Sequence, residues 1–204
     1  MQVLKDDVRN KIMKAALSEF KLDGYLQASM RQIALAAGIT IGNIYRYFKN
    51  KEELFNAIIQ PVYEQYTVYL EDIRSKIEFS YKDDDLNTLD YFNKIESALI
   101  RLFKTYSAEL TILLNQSKGS KYEQVKSELV QLTYSLLERV VIKKRNVGPS
   151  LKPNDQALVH MLALTIVEGL CLILRDNNEG DRLEQLVDQF LYLYAVGITA
   201  IIKQ

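Results

Sequence analysis

Between residues 24 and 51 the chain carries Arg31, Arg46, Lys49 and Lys51 and no acid. A short basic window of this kind is the footprint of an element that binds phosphate. It stands out against a chain whose 26 basic and 26 acidic residues cancel. Residues 1–60 hold nine Lys and Arg against six Asp and Glu, and the remainder holds 17 against 20. Catalytic chemistry has less to work with. His160 is the one histidine and Cys171 the one cysteine. Eleven residues apart on one helix, they would lie about 16 Å from each other along its axis, too far for proton transfer. There is no His-Glu-x-x-His, no histidine-rich metal cluster and no glycine-rich phosphate loop. The expectation is a chain that is not an enzyme, with no catalytic residue, no metal and no cofactor.

The elements that must position the basic window are helices. Val8, Ile12, Ala15, Ala16 and Phe20 recur at steps of three and four, and Gly24 follows as a stop. Ser29-Met30-Arg31-Gln32 reads as a capping box opening a second helix to about Ala37. Gly38 permits a tight turn and Ile39 fills it, after which Thr40 caps a short third helix to about Tyr47. Two short helices joined through a glycine form a helix-turn-helix. Asn50-Lys51-Glu52-Glu53 is a further cap with acids in the first turn, opening a long fourth helix in which Pro61 predicts a kink. Ile33, Ala34, Ala37, Ile39, Ile44 and Phe48 supply the inward face of this head and leave the polar residues outside.

The run from Ser29 to Phe55 resembles the TetR family of bacterial transcriptional regulators. The resemblance rests on Ile33-Ala34, Ala37-Gly38-Ile39, Gly42-x-x-Tyr45-x-Tyr47-Phe48 and Lys51-x-x-Leu54, in the family's order and spacing. With the first helix it covers residues 8–55. Ser29 stands where Thr is commoner, and Tyr47 where His is commoner. The third helix of such a head enters a major groove. There Asn43 can pair with adenine, Arg46 with guanine or a phosphate, and Ile41 with a thymine methyl, with Thr40 at the leading end. Gly42 removes a side chain where the helix approaches the sugar-phosphate backbone. The resemblance implies phosphate contacts for Ser29, Tyr45, Tyr47 and Lys51. A cation at Lys51 opposes the helix dipole, so a nearby anion would account for it. Arg31 completes the outward set. Plainer readings remain beside these: Tyr45 and Tyr47 as cover over the core, Arg31 and Arg46 as solvated surface.

Residues 51–204 read as a helical body of about six helices. Expected spans after the fourth helix are 88–104, 107–117, 121–144, 154–175 and 181–203. Lys82-Asp83-Asp84-Asp85 reads as a solvated loop, and Lys143-Lys144-Arg145 as cations at a helix end. Residues 157–174 carry a single charge, Glu168, and residues 190–202 carry none. Helices so apolar are buried on several faces, in a core, an interface or a membrane. His160, Glu168 and Gly169 weigh against the membrane, as does the lack of basic flanks at the 176–181 turn. A helical membrane-associated or interaction protein without specific DNA binding is the alternative. The resemblance implies a homodimer through the last two helices, a double-stranded DNA operator and a small, often hydrophobic effector. Tyr66, Tyr69, Phe92, Phe103, Tyr106, Tyr134, His160 and Glu168 are available to line its pocket, although aromatic residues at helical spacing are also what any core contains. His160 and Glu168 could instead pair across the dimer. The fold class expected is all-α, with residues 1–50 as the DNA-binding domain and 51–204 as the regulatory and dimerisation domain. The single cysteine and the charged first 23 residues fit a cytoplasmic protein with no signal peptide and no membrane partner.

Overall fold

The computed structural model describes residues 2–79, 88–145, 150–176 and 180–202. Every regular element among them is a helix: α1 (Gln2–Gln27), α2 (Met30–Ala36), α3 (Ile41–Ile44), α4 (Lys51–Phe79), α5 (Thr88–Asn115), α6 (Val125–Arg145), α7 (Pro153–Asp176) and α8 (Gly180–Ile202). The Lys82–Asp85 run and the side chains of Lys143, Lys144 and Arg145 lie outside the described residues. The chain forms two compact units. One comprises residues 1–65 and 106–124, the other residues 66–105 and 125–204. Compactness therefore groups the N-terminal helices with a segment from the middle of the chain, which the spacing of apolar residues alone does not reveal.

In the first unit, α1 buries Ile12, Ala16 and Phe20, spaced by four so that all three share one face. The stop expected at Gly24 is instead a break inside the helix. Gly24 has φ 73° and ψ 167°, and helical turns resume to Gln27. This backbone is open essentially to glycine alone. The bend exposes the amide of Tyr25, which donates to the Gln116 carbonyl at 2.8 Å. Rings then fill the space around it. Phe20 meets Phe55 edge-on at 4.8 Å, Tyr25 lies 4.7 Å from Phe55, and Tyr122 lies 6.1 Å from Phe55 and 5.1 Å from Tyr63. Such pairs contribute about 0.5–1.5 kcal/mol each beyond the area they bury. Pro61 sits exposed within α4, which continues through it as one helix, so the proline does not end the element.

In the second unit, α6 and α8 both pack on α7. Helix α7 buries Val159, Ala163, Ile166, Val167, Leu170, Cys171 and Leu174, and α8 buries Leu183, Val187, Leu191, Ala195 and Ile198. Among the described residues α7 is the one helix long and apolar enough to cross a membrane. Its inner face is spent on this bundle. At Gly169 the helices approach so closely that a Cβ would stand 2.2 Å from the Phe190 ring. Burial pushes the Cys171 thiol up to about 11. The break expected at Tyr106 is present: its φ of −138° and ψ of 39° interrupt α5.

Gly24→Ala places a side chain in a conformation that L-residues avoid and 2.7 Å from the Gln116 amide oxygen. The expected outcome is a loss of about 1–3 kcal/mol of stability in denaturant unfolding.

Candidate nucleic-acid interface

Helix α2 starts where Ser29 turns the chain. Its hydroxyl oxygen accepts from the Gln32 amide at 3.2 Å while its proton goes to Gln32 Oε1 at 2.6 Å. The capping box is thus closed side chain to side chain, and not by the Gln32 side chain on the Ser29 backbone. Met30, Ile33 and Ala34 face inward. The turn follows the expected pattern: Gly38 has φ 68°, its N–H donates to Leu35, and the N–H of Ile39 donates to Ala34. Thr40 Oγ1 then accepts from the Asn43 amide at 3.3 Å and caps α3. Regular α-helix lasts for four residues, after which Arg46 and Tyr47 bond to the carbonyls of Asn43 and Ile44 in a tighter three-residue winding. The winding expected to Tyr47 is present, but its last turn is narrower.

This backbone sorts the side chains. Ile44 and Phe48 are buried, with Ile33 and Ala34, while Ala37 and Ile39 of the expected inward face are only half-buried. Thr40, Ile41, Gly42, Tyr45, Arg46 and Arg31 are exposed, and Ser29, Asn43 and Tyr47 half-buried. Thr40, Gly42, Asn43 and Arg46 line one open hollow of about 640 Å³ together with Leu35, Gly38 and Ile39. A hydroxyl, an amide and a guanidinium therefore converge on one concave surface, with no side chain at Gly42 to obstruct it. That set can read base edges.

Lys51 departs from the expectation. Its ammonium donates to the carbonyls of Tyr25, Leu26 and Ala28 at 2.6, 3.1 and 2.9 Å and lies 4.7 Å from the centre of the Tyr25 ring. An ammonium has three protons, and three carbonyls take them. The negative partner that offsets a cation at the start of α4 is the end of α1, whose last carbonyls have no amide of their own helix to accept from. Burial lowers the Lys51 pKa and raises that of Tyr25, to which the Glu52 carboxylate adds. Beside it the α4 cap is reciprocal. Asn50 Oδ1 accepts from the Glu53 amide and Glu53 Oε2 from the Lys49 amide, each at 2.8 Å.

Residues 12–58 match the family described as bacterial regulatory proteins, tetR family. Over these residues the chain carries the TetR-family helix-turn-helix segment. It is 22% identical over 200 residues to the HTH-type transcriptional regulator QacR of Staphylococcus aureus, covering 95% of this chain and 99% of that one. Its fold is that of the ketosteroid transcriptional regulator KstR2 of Mycobacterium tuberculosis, at a TM-score of 0.63, 20% identity and 93% coverage of both chains. The transcriptional regulator FadR from Bacillus subtilis, solved in complex with stearoyl-CoA, aligns at a TM-score of 0.52 and 20% identity over 92% of this chain and 97% of its own.

Two features of this head escape a reading of the sequence. Leu35 is 80% exposed on the same hollow as Asn43 and Arg46. Its one signal is its position beside the 30-33-34 stripe of inward residues. The other is the fate of Lys51, which depends on a partner 26 residues earlier.

The residues considered for an effector pocket are dispersed in character. Tyr66 and Phe103 are buried, and Tyr69 and Tyr106 half-buried, Tyr106 at the α5 break. Tyr134 donates to Glu138 at 3.1 Å and its ring lies 6.1 Å from that of the exposed His160. Glu168 accepts from Lys126 at 2.6 Å. His160 and Glu168 thus have different partners, one aromatic and one ionic. The side chain of Phe92 lies outside the described residues.

Lys51→Met keeps the aliphatic stem and removes the donors from three carbonyls. The expected outcome is a loss of about 1–3 kcal/mol in denaturant unfolding, with Lys51→Arg retaining much of it.

Proposed function

We propose that this chain is a ligand-responsive transcriptional regulator of the repressor type. It binds a palindromic double-stranded DNA operator as a homodimer and is released by a small hydrophobic effector. The observation that carries the reading is the convergence of Thr40, Asn43 and Arg46 on one hollow of a helix-turn-helix. Residues 1–50 act as the DNA-binding domain and residues 51–204 as the regulatory and dimerisation domain. Asn43, Arg46 and Ile41 read bases, with Thr40 and Gly42 at the groove. Ser29, Arg31, Tyr45 and Tyr47 position the head on phosphates.

Dimerisation through the last two helices is supported by their outer faces. Met161, Leu164 and Leu172 of α7 and Tyr192, Leu193 and Val196 of α8 are large apolar side chains exposed in the single chain. Water around such a surface is released when a second copy covers it. A two-fold axis would then present two heads to a palindrome. The effector site is proposed in the body, among Tyr66, Tyr69, Phe92, Phe103, Tyr106, Tyr134, His160 and Glu168. Buried aromatic surface at Tyr66 and Phe103 supports an apolar effector. The regulator works in the cytoplasm, without a cofactor, catalysis or a membrane.

Selection of bound sequences from a random duplex pool, using the full chain, tests the DNA-binding reading. Wild type should enrich a palindrome. Asn43→Ala should relax one base position in each half-site, by about 1–3 kcal/mol, and leave the others unchanged. An equal loss at every position removes Asn43 from base reading, and failure to enrich any sequence removes the function.

Leu193 is 68% exposed, so Leu193→Arg costs the single chain little while placing a charge on the proposed interface. The variant should sediment as a folded monomer and lose affinity for the palindrome. Leu170, in the equally apolar run 157–174, is 6% exposed and packs in the chain's own core, so its substitution by Arg would unfold the body instead.

A further inference from the structure

We infer that Arg9, in place of Lys51, is the cation that meets a DNA phosphate beside the turn leaving α3; the inference rests on the DNA-binding reading above. Its guanidinium carbon lies 5.3 Å from the centre of the Phe48 ring. Phe48 is buried between Tyr47 and Lys49 in the chain, so the ring anchors the cation at the middle of the Tyr45–Asn50 turn. Tyr45, Arg46, Lys49 and Asn50 are exposed there.

The two cations differ in what they have left to give. All three protons of Lys51 are taken by carbonyls. Arg9 has five N–H groups and, among the described residues, one hydrogen bond, to the Met13 sulfur at 3.4 Å. Sulfur is a weak acceptor. Asp6 and Asp7, the acids nearest in sequence, are exposed, and no carboxylate among the described residues forms an ion pair with Arg9. Stacking on an aromatic face fixes a guanidinium without consuming its donors, and its planar fork suits two phosphate oxygens at once. A group held in this way loses little freedom on binding.

The competing role for Arg9 is to cover Phe48 from water, and the salt dependence of binding separates the two. A phosphate contact releases counterions, whereas a cover does not. The probe is a mixed-sequence duplex of about 30 base pairs, titrated with the full chain between about 50 and 200 mM salt. Arg9→Met retains apolar cover and should reduce the slope of log affinity against log salt by about 0.9. The ratio of wild-type to variant affinity then narrows about three- to fourfold over that range. Arg9→Gln, read in parallel, should do the same if the methionine variant folds poorly. Arg9→Lys should restore the slope, and Lys51→Met should keep the wild-type slope. Folded Arg9→Met and Arg9→Gln variants with the wild-type slope would overturn the assignment to Arg9. A reduced slope in Lys51→Met would return Lys51 to the phosphates. Wild type without salt-dependent binding would instead overturn the DNA-binding reading itself.

Discussion

An ammonium bonded to three carbonyls is the contact on which the N-terminal unit turns. The backbone bends at Gly24, and α1 ends three residues later at Gln27, where its last carbonyl oxygens have no amide of their own helix to accept from. Lys51 reaches all three of the oxygens at Tyr25, Leu26 and Ala28. The start of α4 is thereby tied to the end of α1, and the twenty-odd residues between them are closed into a loop whose two ends are fixed. That loop is the helix-turn-helix. The orientation of Asn43 and Arg46 follows from a knot in which neither takes part.

The same bend frees the Tyr25 amide for Gln116 and turns the Tyr25 ring onto Phe55. Tyr122 closes the other side of Phe55. A glycine in a conformation closed to other residues thus stands where a polar knot and an aromatic cluster meet. The local cost of the conformation is offset by contacts spread over three segments of sequence.

Local signals in the sequence correspond closely to local structure. Ser29 with Gln32, Thr40, Gly38 and Asn50 with Glu53 each act within four residues, and each cap or turn lies where those residue types place it. The α5 break at Tyr106 and the start of α7 at Pro153 were legible for the same reason. Long-range partnerships were not. Lys51 in isolation is a cation at the wrong end of a helix, for which a phosphate is as good a partner as a carbonyl. Gly24 reads as a helix stop because the bond that its bend permits, from the Tyr25 amide to the Gln116 carbonyl, spans 91 positions. The exposure of Leu35 and the stacking of Arg9 on Phe48 likewise depend on how α1, α2 and α3 meet. In the body, apolar composition made α7 and α8 conspicuous but gave no means of sorting inner from outer faces. Leu170 and Leu193 look alike in sequence, and one is core while the other is surface.

The first unit is discontinuous in the chain, since residues 106–124 complete what residues 1–65 begin. Its modularity is therefore not that of a bead on a string. A recombination event that exchanged only the N-terminal residues between two such regulators would bring in a new Phe55 and Tyr25 and leave behind the Tyr122 and Gln116 that had adapted to the old ones. Point substitutions on the outer surface, at positions such as Leu35 and Asn43, leave this packing untouched, whereas exchange of the head alone would not.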